Sequence, residues 1–436
     1  MKNRLFIIVL FVFIFVLVGC KEECIHEFSE PDCVNASICK KCGVEGEKAF
    51  GHKDLYWTEA VGSCLEKVEI EYKCGVCNQT LSSSFVTITH NFEDIAILDG
   101  NGKRCSECKY TEYNMSKYSE FADNGFSKYG KLSVNGPDLV NAYKEKVQLV
   151  GLSTHGLQWF GKYVNYKTIA ALRKEFGINT LRLSMYTSEL GYCDGGEAVK
   201  KALYKRVVDG IEIATSLDMY VIVDWHMVGA EDVNDKNPLY YKDQAIEFFG
   251  RISEQFKDNQ NILYEIMNEP NGETTWNDCK SYANAVIPVI RKNTDAVVLV
   301  GNPKWTSDLE SVMAAPLIGH KNIMYTYHFY ANDLFSPNEV IDAYESGLPV
   351  FISEHGGMNA DGNGSINVPA TLAWYKALDE RNISYVAWNI SNSKGDASII
   401  KYASPTMTDF SDENLKEWGI FYKNWLREKF GLNQEN

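Results

Sequence analysis

Two carboxyl side chains carry the chemistry that this sequence is equipped for. Glu269 lies in Asn268-Glu269-Pro270 and Glu354 in Ser353-Glu354-His355, each at the end of an apolar run. When such a pair flanks a glycosidic bond, one protonated carboxyl releases the leaving oxygen while the other, ionised, attacks the anomeric carbon. A separation of ~5 to 5.5 Å between the two corresponds to retention of configuration. Arg182 and the hydroxyl of Tyr330 are of the type that favours an ionised Glu354, and His328 is of the type that tunes the acid.

Such residues need a frame that gathers the ends of separate strands. From residue 146 onward, strand-like apolar runs recur at 147–153, 180–185, 220–226, 262–268, 297–301, 323–330, 349–354 and 383–389. Between them lie segments with apolar residues at helical spacing, such as Ile246, Phe249, Ile252 and Phe256, or Ala283, Val286, Ile287 and Ile290. Strands alternating with helices in this number predict an α/β fold, a closed (β/α)8 TIM barrel. An open doubly wound sheet is the alternative, disfavoured because no Gly-x-Gly-x-x-Gly follows the first strand. The polar residues collect at the carboxyl ends of the runs: Arg182, Asp224-Trp225-His226, Asn268-Glu269, His328-Phe329-Tyr330, Glu354-His355 and Trp388-Asn389. In a (β/α)8 barrel that rim is where catalytic side chains converge.

Ordered motifs add a family resemblance. Tyr129-Gly130-Lys131-Leu132, Ser153-Thr154-His155-Gly156-Leu157-Gln158-Trp159, Met185-Tyr186, Ile222-Val223-Asp224-Trp225-His226, Tyr264-Glu265-Ile266-Met267-Asn268-Glu269-Pro270-Asn271-Gly272, Tyr327-His328-Phe329-Tyr330 and Ser353-Glu354 occur in sequence. With them, residues 128–432 resemble glycoside hydrolase family 5, in particular its subfamily 2 endoglucanases. The resemblance implies a retaining endo-β-1,4-glucanase acting on β-glucan by double displacement, with Glu269 as acid/base and Glu354 as nucleophile. It implies that Asn268 meets the 2-hydroxyl of the sugar being cleaved, that Trp388 lies beside that sugar, and that Arg182, His226, His328 and Tyr330 complete the set. His155 and Trp159 would bind the glycone side, Trp159 by stacking. No cofactor is expected for the reaction.

Two departures from the family pattern stand out. His355 occupies a position that is usually Trp or another aromatic, which is expected to alter the local wall. The usual Lys-x-Glu of a distal glycone subsite appears as Lys394-Gly395-Asp396, one residue further along and with a shorter acid. Mannan, xyloglucan or mixed-linkage β-glucan are the alternative substrates. An inactive, cell-surface carbohydrate-binding lipoprotein is the alternative class.

Composition narrows the partners. With 43 basic against 58 acidic residues the formal charge is -15, which repels nucleic acid and gives no attraction to an anionic membrane surface. Aromatic residues make up 13% of the chain, and their faces suit the apolar C–H faces of sugar rings. A monomer acting on a neutral polymer is expected.

The first residues bear on location. Lys2 and Arg4 precede an apolar run from Leu5 to Val18, and Leu17-Val18-Gly19-Cys20 follows the form of a bacterial lipobox. The run is shorter than the ~20 residues of a membrane-spanning helix. A signal peptide over 1–19, a lipid on Cys20 and an extracellular enzyme anchored to the outer face of the bacterial cell membrane are therefore expected.

Ten of the twelve cysteines fall between Cys20 and Cys108. Within that stretch a unit recurs: His26, Cys33 and Cys39-Lys-Lys-Cys42, then His52, Cys64 and Cys74-Gly-Val-Cys77, then His90 and Cys105-Ser-Glu-Cys108. Zinc on Cys3His sets or disulfide staples both fit a small exported module. In the zinc reading, Cys33, Cys39 and Cys42 share one shell with His26 or His52, and Cys64, Cys74 and Cys77 share another with His52 or His90. The expected organisation is a signal peptide (1–19), a Cys/His-rich module (20–112), a linker (113–135) and the barrel (136–432).

Overall fold

Each of the eight apolar runs contains a strand that is buried along its whole length, and parallel strands require just such two-sided burial. In a computed structural model they are β1 (Val150–Thr154), β2 (Thr180–Tyr186), β3 (Tyr220–His226), β4 (Ile262–Glu265), β5 (Val298–Val300), β6 (Ile323–Tyr330), β7 (Val350–Gly356) and β8 (Tyr385–Ile390). They pair in parallel, in chain order, and β8 closes on β1 to complete the barrel. The structure describes residues 25–59, 67–97, 100–107, 111–113, 121, 123–227, 235–334 and 336–432. The signal peptide and Cys20, together with Cys64, lie outside them.

Register places the rim residues. Trp388 of β8 stands opposite Ser153 of β1, His328 of β6 opposite Glu354 of β7, and Arg182 of β2 opposite Ile222 of β3. β4 is shorter than the sequence suggests and ends at Glu265. Asn268 and Glu269 therefore project from the loop beyond it, held by the backbone bond from Ile266 N–H to the Leu299 carbonyl.

The outer helices form where an apolar stripe meets local stop signals. α1 (Tyr166–Phe176) starts at Asn165, whose side chain accepts from the Thr168 N–H, and ends at Gly177 in the left-handed region. α2 (Trp276–Arg291) carries a reciprocal capping box between Thr275 and Asp278. α3 (Val368–Arg381) and α4 (Glu417–Lys429) pack Trp374, Tyr375, Trp418 and Tyr422 against the outer face of the barrel.

A second apolar cluster fills the barrel's interior floor: Leu149, Tyr220, Ile222, Leu263, Leu299, Met324, Phe351 and Val386, joined by Leu132 and Leu139. The latter two flank and enter a hairpin of Ser133–Asn135 with Asp138–Val140. The end of the stretch expected to be a linker thus belongs to the barrel floor: Phe126 packs edge-on to Tyr220, and the Tyr220 hydroxyl donates to the Gly130 carbonyl.

The chain divides into two compact units, up to Thr89 and from His90 on. The first contains a three-stranded antiparallel sheet of Leu55–Trp57, Lys67–Cys74 and Thr80–Thr87. The second includes, besides the barrel, a three-stranded sheet of Phe92–Ile97, Gly100–Cys105 and Thr111–Tyr113.

Candidate active site

Arg182 organises the rim. Its guanidinium is fully buried at the end of β2 and is saturated by acceptors. Nε and one terminal nitrogen reach both oxygens of Glu265 at 2.7 and 3.2 Å, Nη1 donates to Glu354 at 2.8 Å, and Nη2 donates to Oδ1 of Asn268 at 2.6 Å. Nη2 also lies 3.0 Å from Asp224. A planar donor fork fixes several acceptors at once, which a lysine could not do. The Tyr330 hydroxyl donates to the second oxygen of Glu354 at 2.9 Å, so both oxygens of this carboxyl are oriented.

On the other side, Oε1 of Glu269 lies 2.8 Å from Nδ1 of His328. Nε2 of His328 contacts the Ser353 hydroxyl at 2.9 Å, and that hydroxyl donates to Glu265 at 2.7 Å. Burial alone would lower the histidine; hydrogen bonding towards Glu265 and Glu269 outweighs it and raises His328 to about 9. A carboxylate oxygen of Glu269, a ring nitrogen of His328 and a carboxylate oxygen of Glu354 all lie within 4.8 Å of one another. The two carboxyls therefore face each other across a short gap.

Asn268 is locked by accepting from Arg182 and donating to the Met227 carbonyl at 3.0 Å. His226 touches Asp224 through Nδ1 at 2.6 Å and stacks on the ring of Trp388, nearly parallel to it with centroids 5.3 Å apart. Burial and the Arg182 charge lower His226 to about 3, so it works as a neutral, oriented ring. His155 is likewise held neutral, lowered to about 4 by burial and by His226. Its Nδ1 accepts from the Gly156 N–H at 2.7 Å, which leaves Nε2–H to donate to a sugar hydroxyl. Trp159, Tyr186 and Trp388 pack around His155, with Trp159 still 44% exposed.

Residues 140–394 match the family described as cellulase (glycosyl hydrolase family 5). The chain belongs to glycoside hydrolase family 5. It is 48% identical over 293 residues to Endoglucanase A of Butyrivibrio fibrisolvens, covering 66% of this chain and 67% of that protein. It is 37% identical over 298 residues to an endoglucanase of Clostridium saccharobutylicum, covering 67% of this chain and 64% of that one. The chain thus spans about two thirds of the length of these relatives. Among solved structures, the cellulase Cel5C_n is similar with a TM-score of 0.66 and 32% identity over 72% of this chain and 96% of that one. The catalytic domain of Thermobifida fusca endoglucanase Cel5A, solved with cellotetraose, is similar with a TM-score of 0.63 and 32% identity over 69% of this chain and 99% of that one.

Within this family 5 site, the sequence expectations fare unevenly. Arg182, His226, Asn268, Glu269, His328, Tyr330, Glu354 and Trp388 converge on one rim, and His155 and Trp159 adjoin them. His355 does not line the cleft. Successive strand residues face opposite sides, so with Glu354 inward His355 points outward. There it bonds the Val386 carbonyl and the Tyr375 hydroxyl among Phe329, Tyr385, Trp418 and Tyr422. Lys394 lies over the Tyr402 ring and Asp396 accepts from the Gly364 N–H; neither touches the carboxyl pair.

Sequence reasoning put Asp224 on the rim without a role, and it missed Glu265 and Ser353 as members of the network. Their signal was present: Asp224 and His226 share one strand face, and Glu265 is a carboxyl within an otherwise apolar strand. It also missed Trp305, which is 59% exposed and follows β5. Lys304, Trp305 and Thr306 are all in the left-handed region, and the Trp305 N–H bonds the Pro270 carbonyl beside the acid.

The expected zinc shells are regrouped. Cys33 does not join Cys39 and Cys42; it lies with His52, Cys74 and Cys77, all four ligand atoms within 4.8 Å of one another. His26, Cys39 and Cys42 form a separate group. Chain separation had suggested the nearer Cys-x-x-Cys, whereas the turn of the first element carries the Cys33 side chain to the second.

Proposed function

We propose that the barrel is a retaining endo-β-1,4-glucanase of subfamily 2 that hydrolyses internal bonds of cellulose-like β-glucan. The observation that carries the reading is the distance: oxygens of Glu269 and Glu354 lie within 4.8 Å, and retaining pairs stand ~5 to 5.5 Å apart, too close to seat a water between carboxyl and sugar. Glu354, oriented by Arg182 and Tyr330, attacks the anomeric carbon while Glu269 protonates the leaving oxygen. Glu269 then takes a proton from water, and that water releases the sugar from Glu354. Water is the only co-substrate consumed, both carboxyls are regenerated, and the scheme calls on no cofactor. The similar proteins named endoglucanases, and the T. fusca structure with cellotetraose, support a β-1,4-glucan chain as substrate. Reducing-sugar release from carboxymethylcellulose, set beside mannan, xyloglucan and mixed-linkage β-glucan, tests it; no release from any of the four would leave only a binding role.

The reading extends to location and to the cysteine module. The lipobox-like Leu17-Val18-Gly19-Cys20 supports export and a lipid anchor on Cys20, on sequence grounds alone. The two Cys/His groups support structural zinc: sulfurs of Cys33 and Cys74 are 3.6 Å apart, and Cys77 and His52 meet at 3.5 Å. Tetrahedral zinc with Zn–S near 2.3 Å and Zn–N near 2.0 Å sets such edges at roughly 3.5 to 3.8 Å.

A further inference from the structure

Among the described residues up to Thr89, the buried apolar side chains are Cys33, Cys39 and Cys74. Phe28, Val34, Ile38, Phe50, Trp57 and Phe85, the residues that would build a core, are exposed. A unit without a core needs staples. The hydrogen bonds show where one is required. Those of the first element close among residues 26–50, as in Ser29 to Ile38, Ser37 to Glu47, Cys39 to Val44 and Phe50 to Asp32. Those of the second close among residues 52–87, through the three-stranded sheet and the turn from Lys53 and Asp54 to Gly75. Among the described residues, the contacts of hydrogen-bond length between the two elements start from the Cys33 sulfur, which meets Cys74 Sγ at 3.6 Å and also reaches Cys77.

Both Cys-x-x-Cys turns have one local geometry. Gly43 and Asn78, each just after the second cysteine, are left-handed at φ 75° and 59°. Each donates its N–H to the carbonyl of the first cysteine, at 2.9 and 2.8 Å. Such a turn leaves both thiols pointing to one side, and at Cys74 the Lys53 N–H also points at the sulfur, 3.4 Å away. Backbone donors of this kind orient and stabilise a metal-bound thiolate.

We infer that one zinc ion held by Cys33, His52, Cys74 and Cys77 is the staple that joins the first Cys/His element to the second, with Cys33 contributed across the repeat boundary. This rests on the zinc reading above and adds to it the ligand set and its structural role. The repeats are then not one-ion beads. Removing this ion separates two elements, whereas the His26, Cys39 and Cys42 group belongs to the first element alone.

Metal content of the full chain and of paired variants tests the assignment. Cys33→Ser and Cys77→Ser should each lower zinc by one equivalent, and the double variant by the same one. Cys33→Ser combined with Cys42→Ser should lower it by two. The reverse pattern, two equivalents lost with Cys77 and one with Cys42, would return Cys33 to its own repeat and overturn the inference while leaving the zinc reading intact. A metal-free wild-type chain without titratable thiols would overturn both. Cobalt substitution supplies an arm that survives if the serine variants misfold. Cys33→His should keep the ion with weaker sulfur-to-cobalt absorption, and Cys42→His should not perturb the Cys33 site's bands. An unchanged spectrum for Cys33→His would exclude Cys33 from any shell.

Discussion

Nδ1 of His328 lies 2.8 Å from Oε1 of Glu269, which ties the histidine to the carboxyl proposed as the acid. The Ser353 hydroxyl donates to Glu265, so it can only accept from Nε2–H of His328. Nδ1 is thereby the atom that shares a proton with Glu269.

The pH profile follows. His328 is raised to about 9, above its ordinary 6.5, so its favourable pairing is fully present below about 6.5 and is lost as pH rises through about 9. The alkaline limb of kcat/KM should therefore fall near pH 9. His328→Gln should move that limb to lower pH and lower kcat, with KM changed little. A profile that does not move would remove His328 from control of the acid.

The carboxyl pair should be separable by chemistry. Glu269→Gln and Glu354→Gln should each lower kcat on polysaccharide by at least ~10³-fold without loss of fold. A substrate with an activated leaving group needs little protonation, so it should partly restore turnover to the Glu269 variant and not to the Glu354 variant. Proton NMR of the first product should show the β-anomer; a dominant α-anomer contradicts the nucleophile role of Glu354.

Glu265 is predicted to be a positioning residue. It offsets the buried Arg182 charge through two hydrogen bonds, and removing one member of such a pair costs about 3 to 5 kcal/mol. Glu265→Ala should lower Tm sharply and lower kcat through displaced Arg182. Glu265→Gln, which keeps the shape, should recover part of the stability. Equal loss in both variants would argue that charge alone matters.

Trp305 adjoins the loop of Glu269 through its bond to Pro270 and is largely exposed there. Trp305→Ala should raise KM for polysaccharide several-fold while sparing hydrolysis of small activated glycosides. Trp159→Ala should raise KM for both, since its ring is on the His155 side.

The anchor is testable in cells. Cys20→Ala should shift the enzyme from membranes to an uncleaved or released form, and the native form should resist high-salt washing, because two or more lipid chains hold a protein stably. Complete release by salt contradicts a lipid on Cys20.

The sequence by itself determined the barrel and the rim, and it named the carboxyls proposed to react. Eight apolar runs of strand length separated by helical stripes admit few other packings, and strand order in a parallel barrel follows chain order. Residue type then points to the proposed acid, the proposed nucleophile and their partners once the strand ends are known. What tertiary structure alone decided is which side chains share a proton, a charge or an ion. Glu265 looked like one more strand residue until closure of the barrel brought Arg182 to it, 83 positions away in sequence. His355 looked like cleft wall until the pleat turned it outward into the aromatic layer under α3 and α4. Cys33 looked like a partner of Cys39 and Cys42 until folding carried its sulfur to Cys74, 41 residues on. Hydrogen bonds and ligand shells act over about 3 Å, whereas sequence spacing fixes neighbours only within a strand, a helix turn or a Cys-x-x-Cys.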